Sequence, residues 1–166
     1  MPATLTASIV GLIEGTVDIG TVQHALSYGP TLNLGDGTGA GQIDRIFADT
    51  RTLAASASED LDLAGVLVDA IGRVVTFARV RGLLVRSAPG NTNNITVGGA
   101  ASNGWVTAFG AATHTLTVRP GGFVMLGAPD ATAYGVTAGT GDLLRIANAA
   151  GGSPVSYDIV ILGSTA

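Results

Sequence analysis

The sequence predicts an all-β fold: a β-sandwich or jelly-roll-like domain of about eight strands, preceded by an extended N-terminal arm. Three observations carry this. Short apolar and β-branched runs recur, each bounded by Gly, Pro, Asn or Ser clusters that supply turn conformations. No stretch of ten or more residues has a helical period. No repeat of 20 to 50 residues is present, which sets aside solenoids and propellers.

The strongest strand signal is Arg73–Gly99. Val75 to Arg86 is mostly apolar, Pro89-Gly90-Asn91-Thr92-Asn93-Asn94 breaks the pattern, and Ile95-Thr96-Val97 resumes it. This reads as a hairpin in which Val75, Phe77, Leu83 and Val85 face a core or a subunit seam. The Asn-rich turn reads as surface, its side chains capping their own backbone.

In chain order, residues 1–41 form the arm or edge segment. Leu5 to Ile13 is apolar but short, Val17-Asp18-Ile19 with Val22 suits a short strand, and Pro30 to Gly41 is a Gly-rich extended loop. Such a segment gains order against a neighbour. The body, 42–166, opens with the alternation of Ile43, Arg45 and Phe47 against Asp44, Ile46 and Ala48. Ser58 to Gly65 is a half-buried strand with Leu61 and Leu63 on one face and Asp60 and Asp62 on the other. Val66 to Ile71 reads as a helical turn or an anchored loop. Thr113 to Val118 alternates, Pro120-Gly121-Gly122 turns, and Phe123 to Leu126 returns. Asp142 to Asn148 and Val155 to Leu162 pair across Ala149–Pro154.

Composition bounds function. The 166 residues suit one domain, which at this size buries roughly 70% of its unfolded surface without needing a disulfide or metal. Cysteine is absent, which removes thiolate catalysis and Cys-ligated metals. Only 12% of residues are charged, against about 25% ordinarily. Every basic residue is Arg, a pattern that a GC-rich source also produces. A small, neutral surface is inexpensive to desolvate, which suits contact with neighbours. The net charge of −4 speaks against nucleic acid. No apolar run reaches the ~18 residues of a membrane-spanning helix. The N-terminus lacks a basic signal-peptide region, so synthesis in a cytoplasm without general export is expected.

No catalytic set, cofactor site or metal site emerges, and the chain is expected not to be an enzyme. Gly35 to Gly41 resembles a phosphate cradle but lacks Gly-Lys-Ser/Thr and a following helix. Asp60 and Asp62 lie about 7 Å apart on an open strand face, too exposed for an acid/base pair. Arg79, Arg81 and Arg86 are their expected ion-pair partners, within the sheet or across an interface, and Asp60, Asp62, Arg79 and Arg81 are candidate subunit contacts. His24 and His114 lack the spacing of a zinc site, and His114 reads as a surface strand residue. Asn94-Ile95-Thr96 matches a glycosylation sequon that has no role without secretion. Trp105 and Phe109 read as a core plug, with a carbohydrate platform as the second reading.

Three stretches together resemble small virion structural proteins of tailed bacteriophages. They are Asp49–Ser56 running into Glu59–Gly65; Gly90–Asn94 leading to Val97–Asn103; and Arg119–Gly122 continuing through Ala128–Ala131 to Thr137–Asp142. The resemblance covers most of 42–163. It implies an all-β module on the virion, foremost a capsid decoration (cement) protein bound outside the shell. Its partners would be the major capsid protein and copies of itself, as a homotrimer over subunit junctions. A tail or baseplate component is the alternative, and a carbohydrate-binding host-attachment module built on Trp105 the third.

Overall fold

The computed structural model describes residues 1–166 and is all-β, with several sheets and no helix. The N-terminal strands are β1 (Ala3–Thr6), β2 (Ile9–Thr16), β3 (Thr21–Tyr28) and β4 (Thr31–Asp36). Next come β5 (Gln42–Ile43), β6 (Arg45–Leu53), β7 (Ser58–Asp62), β8 (Leu67–Val68), β9 (Val74–Val75) and β10 (Arg79–Ser87). The remainder are β11 (Ile95–Gly98), β12 (Thr115–Val118), β13 (Phe123–Gly127), β14 (Tyr134–Gly135), β15 (Leu143–Asn148) and β16 (Val155–Ser164). From Gln42 onward this makes twelve strands against the eight or so expected. Four of them, β5, β8, β9 and β14, are two-residue pairings too short to announce themselves in sequence.

Two sheets build the body. One runs β13-β10-β16-β6 with β14 also on β10, and the other runs β12-β11-β15-β7. Their inward side chains meet in one cluster of 20 buried residues. Phe47, Val85, Tyr157 and Ile159 come from the first sheet, and Leu61, Val97 and Ile146 from the second. The period-2 pattern that predicts these strands is the same pattern that places alternate residues in the core. Val75, Phe77, Leu83 and Val85 are all buried there, and Leu61 and Leu63 take the inner face as expected.

The connections differ from the expected hairpins. β10 pairs with β13, β14 and β16, whereas β11 pairs with β12 and β15, so the Asn-rich turn passes from one sheet to the other. The turn at Pro120-Gly121-Gly122 crosses in the same way, from β12 to β13. β15 and β16 likewise do not pair, since β15 lies between β11 and β7 and β16 between β10 and β6. A turn signal fixes a chain reversal but not whether the returning strand bonds beside its predecessor or packs across from it. Of the helical turn or anchored loop expected at 66–71, the structure has the second: the segment starts the β8–β9 pair, anchored by buried Leu67 and turned by Asp69, whose Oδ1 accepts the amides of Ile71 (3.0 Å) and Arg73 (2.9 Å).

The Asn-rich turn does not cap itself. Asn91 binds the backbone of Ser156 as a strand would, donating from Nδ2 to its carbonyl (2.7 Å) and accepting its amide at Oδ1 (2.9 Å). Asn93 donates to the carbonyls of Ala150 and Ser153, and buried Asn148 donates to Ala54 (3.0 Å) and Ser153 (2.8 Å). Amide side chains thus satisfy backbone groups that no strand reaches where the chain changes sheets.

The first 41 residues divide into two parts. β1 pairs with β4, and β4 runs parallel to β5, so the boundary expected at 41/42 falls inside one small sheet. Thr31–Asp36 is therefore strand where an extended loop is expected. Leu34 is buried with Ile43 and Leu162 on the outer face of the larger sheet. Gly82 and Gly127 are cross-strand partners. A Cβ on Gly82 would lie 2.9 Å from Leu5, and one on Gly127 3.0 Å from Leu32. This glycine pair leaves a hollow into which both leucines seat. Between β1 and β4, the chain leaves the body as the β2–β3 ribbon, which turns at Val17–Gly20, the segment expected to be strand.

Gly163 tests the packing. A Cβ there would overlap the Arg79 carbonyl and the Phe77 ring. Gly163→Ala is expected to lower unfolding stability in urea by about 3 kcal/mol, whereas Gly11→Ala, whose added carbon meets nothing within 4 Å, should cost less than about 0.5 kcal/mol. Asn91→Ala leaves the Ser156 amide and carbonyl without their partner and is expected to cost about 1–3 kcal/mol in the same titration.

Candidate functional site: the projecting hairpin and the polar clusters

β2 and β3 are each eight residues long and pair along their whole length, from Ile9↔Tyr28 to Thr16↔Thr21. Every residue of both strands is exposed. Glycine at φ +99° in position 20 and the Val17 amide donating to the Gly20 carbonyl (3.1 Å) close the turn. The tip carries Ile19, 94% exposed. A two-stranded ribbon without a hydrophobic backing is marginal in water. This one also presents Ile9, Val10, Leu12, Ile13, Val22 and Tyr28, each more than half exposed. Monomers seldom leave a contiguous apolar patch of more than a few hundred Å² bare.

Cross-strand partners share a face, so the ribbon has two distinct sides. One holds the rungs Ile9/Tyr28, Gly11/Leu26, Ile13/His24 and Gly15/Val22, with no acidic residue or arginine. The other holds Val10/Ser27, Leu12/Ala25, Glu14/Gln23 and Thr16/Thr21. On that side Gln23 Nε2 donates to Glu14 Oε1 at 2.6 Å. Residue-by-residue reading misses the ribbon because Gly11 and Gly15 interrupt its strand signal, and the signal available was the spacing of Val22, His24, Leu26 and Tyr28 along β3.

The acidic cluster is a set of internal pairings. Asp60 receives Arg145 Nε and Nη2, both at 2.8 Å, in a bidentate pair across β7 and β15. That pair holds the Arg145 guanidinium above its ordinary range. Asp62 accepts the Ala64 amide (2.9 Å) and closes the turn after β7. Neither pairs with Arg79, Arg81 or Arg86, the partners expected from sequence. Arg86 approaches Asp158 at 3.7 Å instead. Arg81 sits at the irregularity between Val80 and Gly82 and is buried, its Nη1 donating to the Asp130 carbonyl. A bulge re-aims its side chain. Arg81 is thus used inside its own chain, with burial pushing its pKa down. Arg79, half-buried on the same strand, has no carboxylate partner.

Glu59 lies on the core-facing side of β7, accepting the Tyr157 hydroxyl at Oε1 (2.6 Å) and Arg51 Nη1 at Oε2 (2.5 Å). Trp105 is buried, donates Nε1–H to the Gly135 carbonyl (2.9 Å) and stands edge-on to Phe109 and Tyr134 at 5.9 and 6.0 Å. It is the plug, and its ring offers no open face for a sugar to stack on. The Gly35–Gly41 turn wraps the Gln42 side chain, whose Oε1 accepts the Gly39 amide (2.9 Å), and β5 follows rather than a helix. His114 precedes β12, exposed, with Nδ1 2.8 Å from the Phe109 carbonyl. No group of three metal-ligating side chains comes together. No helix is long and apolar enough to cross a membrane. No family model, curated protein or solved structure matches the chain.

Tyr157 gives the pH dependence. Burial first, then its hydrogen bond to Glu59, raises the phenol far above its ordinary value near 10. The folded state therefore keeps a proton that the unfolded chain releases. Stability is complete below about pH 10 and falls as pH rises beyond it, by up to ~1.4 kcal/mol per pH unit. Urea titrations between pH 9 and 11 should show this decline, and Tyr157→Phe should flatten it.

Proposed function

We propose that this chain is a structural protein of a bacteriophage virion, a capsid decoration protein that binds the outside of the shell and reinforces subunit junctions. The observation that carries the reading is the projecting hairpin. A protein made to work alone does not hold sixteen exposed strand residues, most of them apolar on one side, away from its own core. The base of the hairpin is stapled to the body through Leu5 and Leu32 in the Gly82/Gly127 hollow, which suits an element that must carry load. The body supplies a closed core, and the two larger sheets are read as the layers of a β-sandwich. The three resembling stretches all lie in that body and supply the phage assignment. In this reading the major capsid protein is the partner, and copies of the chain sit together over its junctions.

The experiment follows from how β1 and β4 pack. Removing residues 1–41 would bare the outer face at Leu162, so only 9–28 should be replaced, by a short turn joining β1 to β4. The shortened protein is expected to unfold at the same urea concentration as the full chain and to lose co-sedimentation with undecorated shells. Undiminished co-sedimentation would reject the hairpin as the shell contact, and a full chain that does not co-sediment with shells would sink the proposal. Imaging of whole particles should place the chain over the entire shell, and density confined to one vertex would assign it to the tail.

A further inference from the structure

We infer that the face of the β2–β3 hairpin without carboxylates or arginine packs against the same face of a second copy of this chain, the two ribbons lying parallel about a two-fold axis along their length. The inference deepens the proposed function at the same surface. It rests on that reading only in taking the hairpin as the contact element.

The relief of this face is its own complement. On β3, Leu26 and Val22 rise as knobs. Directly across from them on β2 stand Gly11 and Gly15, where an added Cβ would meet nothing within 4 Å. A two-fold axis parallel to the strands, lying between two facing ribbons, sets β3 of one copy over β2 of the other at equal height. Each rung then meets itself reversed. Leu26 of one copy lies over Gly11 of the other, Val22 over Gly15, and Tyr28 over Ile9. An isologous contact requires this kind of pairing, in which one patch serves both partners. Knobs entering glycine hollows let two aligned sheets approach to, or within, the usual ~10 Å.

Two further points favour a second copy over another occupant. Each chain is acidic overall, at −4, yet this face carries no acidic residue and no arginine, so two copies meet there without direct charge repulsion. The area is also of the right order. Eight rungs make a ribbon ~27 Å long. Its large apolar side chains, mostly half or more exposed, amount to several hundred Å², on the scale of the ~800 Å² each partner gives to a stable interface. The opposite face, with Glu14 and Gln23, and the Ile19 tip remain free for the shell.

Sedimentation velocity of the full chain over a range of concentrations tests this without any shell present. Leu26→Asp and Gly11→Val should each halve the assembled mass, the first by burying a charge and the second by filling a hollow. Thr16→Asp, on the opposite face, should leave the mass unchanged. Because the hairpin touches no part of the core, all three variants are expected to unfold at the wild-type urea concentration when the titrations are run dilute enough for the wild-type chain to be monomeric. The inference fails if the wild-type chain has the same mass as Leu26→Asp at every concentration, or if Thr16→Asp dissociates the assembly equally. It also fails if Leu26→Asp loses only co-sedimentation with shells, since the face would then belong to the capsid. Halved mass in Leu26→Asp, together with a full chain that does not co-sediment with undecorated shells, would retain the pairing and reject the decoration reading.

Discussion

The end of β16 is buried on both faces, and the rest of the molecule depends on that. Along Val155 to Ile159 burial alternates, as it does in a strand with one side in a core. From Ile161 to Ser164 the alternation stops and every residue is buried. Ile161 still faces the shared core, while Leu162 turns outward to meet Leu34 and Ile43. Gly163 fits only because it lacks a side chain beside Phe77 and Arg79. The same ten residues therefore form the centre of the larger sheet, feed the main core and seat the N-terminal strands. Without the outer contact, the β1–β4 base would have no apolar surface to bind and the ribbon above it no fixed direction.

Much of this organisation was legible in the sequence. Period-2 alternation placed Leu61, Leu63, Val75, Phe77, Leu83 and Val85 inward, and Trp105 was readable as a plug because it is the largest apolar side chain in an aromatic-poor chain. What alternation cannot carry is which strand lies beside which. Asn91 to Asn94 and Ala149 to Pro154 are turn-forming segments whether they join neighbours in one sheet or strands in opposite layers. The distinction depends on contacts distant in sequence, such as Asn91 with Ser156, and no local pattern encodes them.

The candidate site was legible in outline only. Residues 1–41 were distinguishable as an arm by their weak strand signal and their glycines, but two different causes produce that signal. In β2 the glycines make hollows on an exposed face, whereas Gly35 to Gly41 form a turn closed by the Gln42 amide. The ion pairs within the chain differ from those expected for a related reason. Sequence proximity suggested that Asp60 would meet Arg79 or Arg81, but β7 lies against β15, which brings Arg145 alongside. Arg81, a candidate subunit contact, lies inside because a register slip turns it toward the Asp130 loop.

The hairpin's free edges have a consequence during synthesis. Each strand of the ribbon has one edge with no strand beside it, and such rows of unpaired amides and carbonyls template the addition of further strands from other molecules. A newly made chain is thus exposed to runaway fibre-like stacking. Gly11, Gly15 and Glu14 all interrupt β2 within five residues. Glycine weakens strand addition and a lone carboxylate repels its stacked copies, so these residues act as gatekeepers. Their placement discourages growth along the edge while leaving the two faces of the ribbon open.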